Sequence, residues 1–376
     1  MSACPPATDR WFAIESAARI PSPALVLYRD RIGENIRRMI AIAGSAERLR
    51  PHAKTHKLGP VARLQIDAGI RKFKCATLPE AQMLAEAGAA DVLVAFGLAG
   101  PARETFARLL ARYPATQFSV LIDNLPALER LEWALQQESV TGGVYLDLDV
   151  GMHRTGVAPG PEAIALYERA AASPVMRPLG LHAYDGHLKQ HDPAERAAAS
   201  AAGFAPVEAL AAELRARGHR DVDVIAGGSP TFAIHAAHPE RTLSPGTCVF
   251  WDWAYTTKFP DLDFLHAALV LTRVISRPTN ETLCLDLGYK GVSPDNADPR
   301  AAFPQIPDAQ MVVHSEEHLL IRTRLANQFA IDDCLYAIPY HVCPTVALYD
   351  EALVVAGGSV IATWPILARR RSVALD

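Results

Sequence analysis

The chain has 376 residues, of which 50% are hydrophobic and 21% are charged, and its formal net charge at pH 7 is −4. This length favours one large domain or two unequal domains, and the composition is typical of a soluble protein with a sizeable core. Because no strongly basic stretch is present, nucleic acid is not expected as a partner. The apolar run 90–100 is too short and too interrupted by glycine to span a bilayer, so no membrane partner is expected.

The cellular compartment can be inferred from the N-terminus and the cysteines. The first twenty residues lack the basic and then apolar pattern of a secretory signal. The six cysteines are scattered without paired spacing, which favours reduced thiols. They are Cys4, Cys75, Cys248, Cys284, Cys334 and Cys343. Both observations indicate a cytoplasmic protein.

The predicted secondary structure begins with a short buried strand at 24–29. Residues 30–44 then form a predicted helix with Asp30 as its N-cap and Gly44 as its stop. Further predicted strands cover 72–78, 90–97, 117–123, 142–150, 178–186 and 221–229, and the helices between them cover 79–88, 102–113, 125–137, 161–173 and 195–218. Short apolar strands that alternate with amphipathic helices are typical of a parallel sheet covered by helices.

About eight such units that close on themselves predict a (β/α)8 TIM-type barrel. An open doubly wound sheet is the alternative, but no G-x-G-x-x-G follows the first strand, which weakens a dinucleotide-binding role. Beyond about residue 260 the pattern changes to strand-like segments separated by turns. We therefore predict an α/β barrel over 23–258 and a mostly β domain formed by 1–22 and 259–376.

A glycine-rich turn follows the last predicted barrel strand. Gly227 and Gly228 would let backbone N–H groups approach an anion, and the hydroxyls of Ser229 and Thr231 would add donors. A single turn of this kind is more often only a tight turn. The segment 244–252 contains a second set of donors one unit later. Two adjacent donor loops late in a barrel favour a phosphate site.

The segment LRPHAKTHKLG, residues 49–59, contains the strongest candidate for covalent chemistry. Lys54 lies near the C-terminal end of the strand predicted there, which is the catalytic face of a barrel. Burial in a cavity would lower the pKa of this amine and make it a nucleophile toward aldehydes. His52 and His56 lie two residues away on either side, so an extended segment would point all three side chains the same way. Lys57 would then lie on the opposite, surface face. A lysine and a phosphate cradle together are the minimum equipment for pyridoxal phosphate, joined as a Schiff base.

A second constellation lies near the C-terminus. His341 and Cys343 are two residues apart in a strand-like segment, so their side chains would project from the same face. Imidazole and thiolate at this spacing suit zinc or another divalent ion, although a histidine beside a buried cysteine is more often only packing. Glu316, Glu317 and His318 could add a ligand, a base or a solvated turn.

Several short motifs together resemble the D-threonine aldolase/D-serine dehydratase family of fold-type III pyridoxal-phosphate enzymes. They are RPHAKTHK, DLDVGMHRTGV, GLHAYDGH, AGGSPT, SPGTCVFWD, SEEH and PYHVCPTV, in family order over essentially the whole chain. The resemblance implies a barrel of the alanine racemase N-terminal kind, a C-terminal mostly β domain and a homodimer.

The resemblance also implies a role for each matching residue. Lys54 would hold pyridoxal phosphate, and its neighbours His52 and His56 are further catalytic candidates. Arg154 would approach the cofactor ring, and Tyr184 would lie beside it. The phosphate would bind Gly227, Gly228, Ser229 and Thr231, with Gly246, Thr247 and Cys248 behind them. A divalent metal, Mn, Mg or Zn, would bind His341 and Cys343.

A metal beside this cofactor favours a lyase, because it can activate the hydroxyl of a β-hydroxy amino acid, whereas a racemase needs two bases and no metal. We therefore predict retro-aldol cleavage of D-threonine-like D-amino acids to glycine and an aldehyde. The alternative is a D-serine or D-3-hydroxyaspartate dehydratase. Cys343 favours the dehydratase, whereas HVCPTVALYDE, GLHAYDGH and WPILAR resemble the aldolases more. Weaker alternatives are an amino-acid racemase and a non-catalytic pyridoxal-phosphate-binding protein, which would lack the β domain.

Overall fold

The computed structural model describes residues 10–374. The strands are β1 (Ala24–Tyr28), β2 (Lys72–Cys75), β3 (Asp91–Gly97), β4 (Gln117–Ile122), β5 (Gly142–Leu148), β6 (Met176–Ala183), β7 (Asp223–Ala226), β8 (Arg241–Leu243), β9 (Ala268–Thr279), β10 (Thr282–Leu285), β11 (Ala301–Ala302), β12 (Gln310–His314), β13 (Leu319–Arg322), β14 (Cys334–Pro339), β15 (Glu351–Ala356) and β16 (Ser359–Pro365). The helices are α1 (Arg29–Ala43), α2 (Gly59–Asp67), α3 (Leu78–Glu86), α4 (Ala102–Arg112), α5 (Leu125–Gln137), α6 (Pro161–Ala171), α7 (Pro193–Ala216), α8 (Phe232–Ala236), α9 (Trp253–Lys258) and α10 (Val342–Val346).

The chain forms two compact units. Of the described residues, one unit contains 10–35, Val249–Thr257 and Asp263–Ile366, and the other contains Ile36–Cys248, Lys258–Leu262 and 367–374. The predicted domains, a barrel over 23–258 and a mostly β domain of 1–22 with 259–376, stay a prediction.

The second unit is built on a parallel sheet in which β2 to β8 lie in chain order. The segment 49–52 completes the ring between its two edge strands. Leu49 forms a parallel bridge with Leu243 of β8, and His52 forms one with Lys74 of β2. The main chain supports both bridges, because Arg50 N–H donates to Leu243 O at 2.7 Å and Lys74 N–H donates to Pro51 O at 2.9 Å. The predicted alanine-racemase-type barrel fold is confirmed.

One strand of the predicted barrel belongs elsewhere. β1 was expected to begin the barrel, but it pairs in parallel with β15 and antiparallel with β9 in the first unit. The sheet of that unit has the order β12-β13-β10-β9-β1-β15-β16, with β14 on β9 and β11 on β14. Val26 and Leu27 are fully buried there. The mostly β character predicted for the C-terminal half is confirmed, and its sheet includes a strand from the N-terminal end of the described chain.

Side-chain caps explain where several helices of the barrel begin. Thr77 accepts a hydrogen bond from Glu80 N–H at the start of α3, and Asn124 and Asp192 do the same for α5 and α7. The first predicted helix ends as expected, because Gly44 follows α1 with a φ of +79°. Asp30 lies in the first turn of α1 and is not its N-cap, because the helix already begins at Arg29.

Two further predictions concern the whole chain. No helix within residues 10–374 is long and apolar enough to cross a bilayer. Of the cysteines, Cys4 lies outside the described residues, and the other five form no disulfide.

A buried polar network crosses the interior of the barrel. The guanidinium of Arg50, which is 1% exposed, forms two hydrogen bonds with the carboxylate of Asp91, at 2.6 and 2.8 Å. It also lies 3.4 Å from the hydroxyl of Tyr145, which donates to Asp223 at 2.9 Å. Thr242 on β8 donates to the other oxygen of Asp223 at 2.7 Å. The network therefore joins the segment 49–52 to β3, β5, β7 and β8.

Asp91→Ala should lower the free energy of unfolding by about 3–5 kcal/mol, because it leaves a buried guanidinium without its counter-charge. Urea denaturation measures this change. Asp67→Ala is the matched control, because Asp67 is exposed at the end of α2 and its loss should change the free energy by no more than about 0.5 kcal/mol. Equal stabilities of the two variants would contradict the structural role assigned to the Arg50–Asp91 pair.

Candidate active site

The segment that completes the ring ends in a short 3-10 turn, Ala53–Thr55. His52 caps this turn, because its Nδ1 accepts from the N–H of Lys54 at 3.3 Å. The backbone is therefore not extended here, and the expectation that His52, Lys54 and His56 face the same way is wrong. His52 and Lys54 line a cavity that His56 does not reach. Burial lowers the pKa of His56 to about 3, and its Nδ1 accepts from Leu58 N–H at 3.1 Å.

Lys57 was predicted to be a surface residue, and this prediction is wrong. Its side chain is only 16% exposed and forms an ion pair with Glu80, which is fully buried. The other oxygen of Glu80 accepts from Ala76 N–H at 2.7 Å. Lys57 therefore stabilises the fold beside the cavity and does not line it.

The cavity at the C-terminal ends of the barrel strands has a volume of about 610 Å³. Its polar lining consists of His52, Lys54, Lys74, Arg103, Asp123, Asn124, Arg130, Asp147, Arg154, Thr155, His182 and Tyr184. Five of these side chains are lysine or arginine and two are carboxylates. The cavity is therefore suited to an anionic ligand.

Sequence reasoning missed Lys74, which is 2% exposed and lies at the end of β2. Its Nζ is 3.4 Å from His182 Nε2, and His182 Nδ1 is 2.7 Å from the carboxylate of Asp147. Thr155 donates to the second oxygen of Asp147 at 2.8 Å. Burial and the charge of Lys54 lower the pKa of Lys74 to about 7. The cavity thus holds, besides Lys54, a buried lysine whose pKa lies near neutral pH.

Three cationic side chains lie near the aromatic ring of Tyr184, the residue that the family resemblance predicts beside the cofactor. Lys54 Nζ is 5.9 Å, Lys74 Nζ 5.7 Å and Arg154 Cζ 5.4 Å from the ring centroid. The backbone of Gly228 packs on this ring so closely that a Cβ there would lie 2.8 Å from Tyr184 Cε2. Gly228 therefore couples the orientation of Tyr184 to the glycine-rich loop.

The two predicted donor loops are adjacent. Ser229 Oγ accepts from the N–H groups of Gly246 and Thr247, at 3.1 and 3.0 Å. Gly227 adopts a φ of +66°, and a Cβ on it would lie 2.4 Å from the His235 ring. A Cβ on Gly246 would lie 3.2 Å from His52 Cβ, so this loop packs directly against the segment that carries Lys54.

Thr231 and Cys248 support these loops from below. The hydroxyl of Thr231 donates to Asp185 at 2.7 Å and accepts from Gly228 N–H at 3.4 Å. Asp185 is also 2.8 Å from His235 Nε2. Cys248 is fully buried. Thr231 therefore ties the first loop to Asp185, and Cys248 is part of the buried interior.

The predicted metal motif lies in the other compact unit. His341 precedes the short helix α10, which carries Cys343, so the two residues are not in a strand as expected. The imidazole Nδ1 of His341 is 2.5 Å from Asp295 Oδ2. Burial lowers the pKa of His341, but its hydrogen bonds with Cys343 and Asp295 and their charges outweigh this effect and raise the pKa to about 9. The negative groups around this imidazole therefore favour a positive charge at this position.

Two other clusters of acidic residues are less suited to a metal ion, because their carboxylates already pair with cationic side chains. Glu316 and Glu317 are exposed and lie 2.6 and 3.2 Å from Lys290, which fits the solvated turn considered in the sequence analysis. Glu208, His238 and Glu240 lie close enough to hold a metal ion. Arg241, however, already pairs with both of these glutamates.

Comparison with known proteins agrees with this architecture. The profile of the family "Alanine racemase, N-terminal domain" matches residues 27–252, and that of "Putative serine dehydratase domain" matches residues 267–355. A D-threonine aldolase of Arthrobacter sp is 32% identical over 358 residues, which cover 94% of this chain and 93% of that protein. A D-threo-3-hydroxyaspartate dehydratase of Delftia sp. (strain HT23) is 27% identical over 370 residues, or 92% and 97% of the two chains.

The likeness extends to a solved structure. The crystal structure of D-threonine aldolase from Filomicrobium marinum matches with a TM-score of 0.87 and 30% identity, covering 94% of this chain and 96% of that chain. The first family profile spans more than half of the chain, and the Arthrobacter protein is similar along nearly its whole length. The chain therefore belongs to the family in which an alanine racemase N-terminal domain precedes a serine dehydratase domain, and which includes D-threonine aldolase.

Proposed function

We propose that this protein is a lyase that depends on pyridoxal phosphate and a divalent metal and cleaves D-threonine-like D-β-hydroxy-α-amino acids to glycine and an aldehyde. The observation that carries the proposal is the packing of two paired donor loops against the segment that holds Lys54, beside a cation-rich cavity. The similar D-threonine aldolases support the reaction type.

The residues around the cavity fit pyridoxal phosphate. Gly227 and Gly228 have no room for a Cβ, and Ser229 ties their loop to Gly246 and Thr247, so backbone donors of both loops are held at one place. These loops would hold the phosphate, and Lys54 would hold the aldehyde carbon. The cofactor supplies an electron sink when it is joined to the amino group of an amino acid.

Protein side chains would orient the ring and move the proton. Tyr184 is fixed by Gly228 and would lie beside the ring, with Arg154 nearby. Lys74 is positioned to accept or return a proton, because its pKa of about 7 lets both forms exist near neutral pH. Asp147 orients His182, and His182 in turn contacts Lys74. The catalytic roles predicted for Lys54 and His52 form part of this proposal, whereas His56 would only support the turn.

The donor set around His341 fits a divalent metal. Asp295 contacts one nitrogen of the ring, and carboxylates commonly hold metal-binding histidines in this way. His341 and Cys343 would hold the ion, which supplies a Lewis acid for the substrate hydroxyl. The thiolate of Cys343 favours softer ions such as Zn²⁺ over Mg²⁺.

Dehydration of D-serine or D-3-hydroxyaspartate is the second candidate. It is favoured by Cys343 and by the similar Delftia dehydratase. Both reactions use a D-β-hydroxy amino acid and the same groups, so the products distinguish them. The homodimer predicted from the sequence belongs to this proposal as well.

Borohydride reduction of the purified yellow protein should attach the cofactor to Lys54. Peptide mapping by mass spectrometry identifies the labelled residue, and loss of the visible absorption band accompanies reduction. Lys54→Ala should bind no cofactor covalently at this position. Lys72→Ala, a control at a lysine that does not line the cavity, should be labelled normally at Lys54. A label on Lys74 or Lys57 would contradict the assignment.

The turnover rate should rise as the pH increases through about 7, because burial and Lys54 lower the pKa of Lys74 to about 7 and the neutral amine is the base. Lys74→Arg keeps a charge that does not titrate in this range, so it should abolish the rise and lower kcat by about 100-fold or more. Lys72→Arg on the same strand is the control, since Lys72 does not line the cavity. An unchanged pH profile in Lys74→Arg would exclude Lys74 as the titrating group.

Treatment with a chelator should leave the yellow colour intact but remove lyase activity, and added Mn²⁺, Co²⁺ or Zn²⁺ should restore it. Glycine and aldehyde are measured with D-threonine as the substrate, and L-threonine is the control. A keto acid and ammonia without glycine would replace the aldolase by the dehydratase. Racemisation alone would contradict both lyase functions.

A further inference from the structure

One buried arginine of the cavity, Arg103, forms no ion pair with any residue of 10–374. Arg103 is 9% exposed and lines the cavity from the first turn of α4. Among the described residues, the guanidinium of Arg103 forms no hydrogen bond and no ion pair. The two carboxylates of the cavity are otherwise engaged, Asp123 by Gly156 N–H and Asp147 by His182 and Thr155.

This position is unfavourable for an arginine in two ways. A buried charge without a partner loses solvation that nothing replaces. In addition, the first turn of a helix is its positive end, where a cation is repelled and an anion is attracted. Arg103 therefore has no stabilising partner among the described residues, and an anion bound in the cavity would supply one.

The ring order shows that this anion is not the cofactor phosphate. Arg103 follows β3, whereas Gly227 and Ser229 follow β7. Three members of the ring separate β3 from β7 on either side, namely β4, β5 and β6 on one side and β8, the segment 49–52 and β2 on the other. Arg103 and the phosphate loop thus lie at opposite sides of the barrel mouth.

We propose that Arg103 binds a carboxylate of the amino acid substrate. The inference rests on the proposed function in that the ligand is an amino acid. A planar guanidinium binds a carboxylate through two parallel hydrogen bonds, which a lysine does not reproduce. Two carboxylates can occupy the position: the α-carboxylate, common to all amino acids, or the side-chain carboxylate of a β-hydroxy dicarboxylic acid. In the second case Arg103 selects the substrate class.

Titration calorimetry of the cofactor-loaded protein with D-alanine and D-aspartate tests the proposal. Neither ligand carries a β-hydroxyl, so neither can be cleaved, and they differ by one carboxylate. Arg103→Met, which keeps an unbranched apolar stem but removes the guanidinium, should raise the Kd of at least one ligand by about tenfold to a hundredfold. An effect on both ligands identifies the α-carboxylate, and an effect on D-aspartate alone identifies the side-chain carboxylate. Unchanged Kd values for both would overturn the proposal.

Stability and a matched variant separate binding from structure. Arg103→Met should unfold at the same temperature as the parent protein or higher, because it removes an unpaired buried charge, whereas a structural arginine would leave the variant less stable. Arg103→Lys keeps the charge without the paired hydrogen bonds and should bind more weakly than the parent protein but more tightly than Arg103→Met. Arg112→Gln removes an exposed charge from the end of α4 and should leave both Kd values unchanged. A parent protein that binds these ligands but cleaves no D-β-hydroxy amino acid would refute the proposed function while leaving the role of Arg103 intact.

Discussion

The position of Lys54 depends on the buried ion pair between Arg50 and Asp91. A guanidinium that is 1% exposed must find its counter-charge inside the barrel, and Asp91 at the start of β3 provides it with two hydrogen bonds. This is possible only when the segment 49–52 lies between β8 and β2. Lys54 follows this segment by one short turn. The ion pair therefore sets both the closure of the ring and the place of the candidate catalytic lysine.

The fold could be predicted because strand and helix periodicities differ clearly over 72–226. The exceptions have a physical reason. Four of the five residues of β1 are buried, and nothing in such an apolar run specifies which sheet it joins. The pairing of Lys57 with Glu80 was missed because it depends on a contact between residues 23 positions apart, which no local pattern contains.

The candidate site was only partly predictable. The loop formed by Gly227, Gly228 and Ser229 could be predicted, because consecutive glycines followed by a serine indicate a tight turn with backbone donors. Lys74 does not, because Lys72 and Lys74 alternate with Phe73 as if they formed the solvent face of a strand. In a barrel, however, that face points inward, where the ends of the strands surround a polar cavity. The burial of Lys74 thus follows from the closure of the sheet, which the pattern of a single strand does not contain.

The large sequence separation between the segment 49–52 and its partners near β8 also affects the synthesis of the protein. Arg50 and Ser244, which are joined by a hydrogen bond, are 194 positions apart, so at about 5–20 residues per second the ribosome needs about 10–40 s to connect them. During this interval the emerging chain contains Lys54 but has neither β8 nor the loop that packs against His52. A ligand that both the Lys54 segment and the second loop hold, as proposed above, could therefore bind only after nearly the entire barrel has been made.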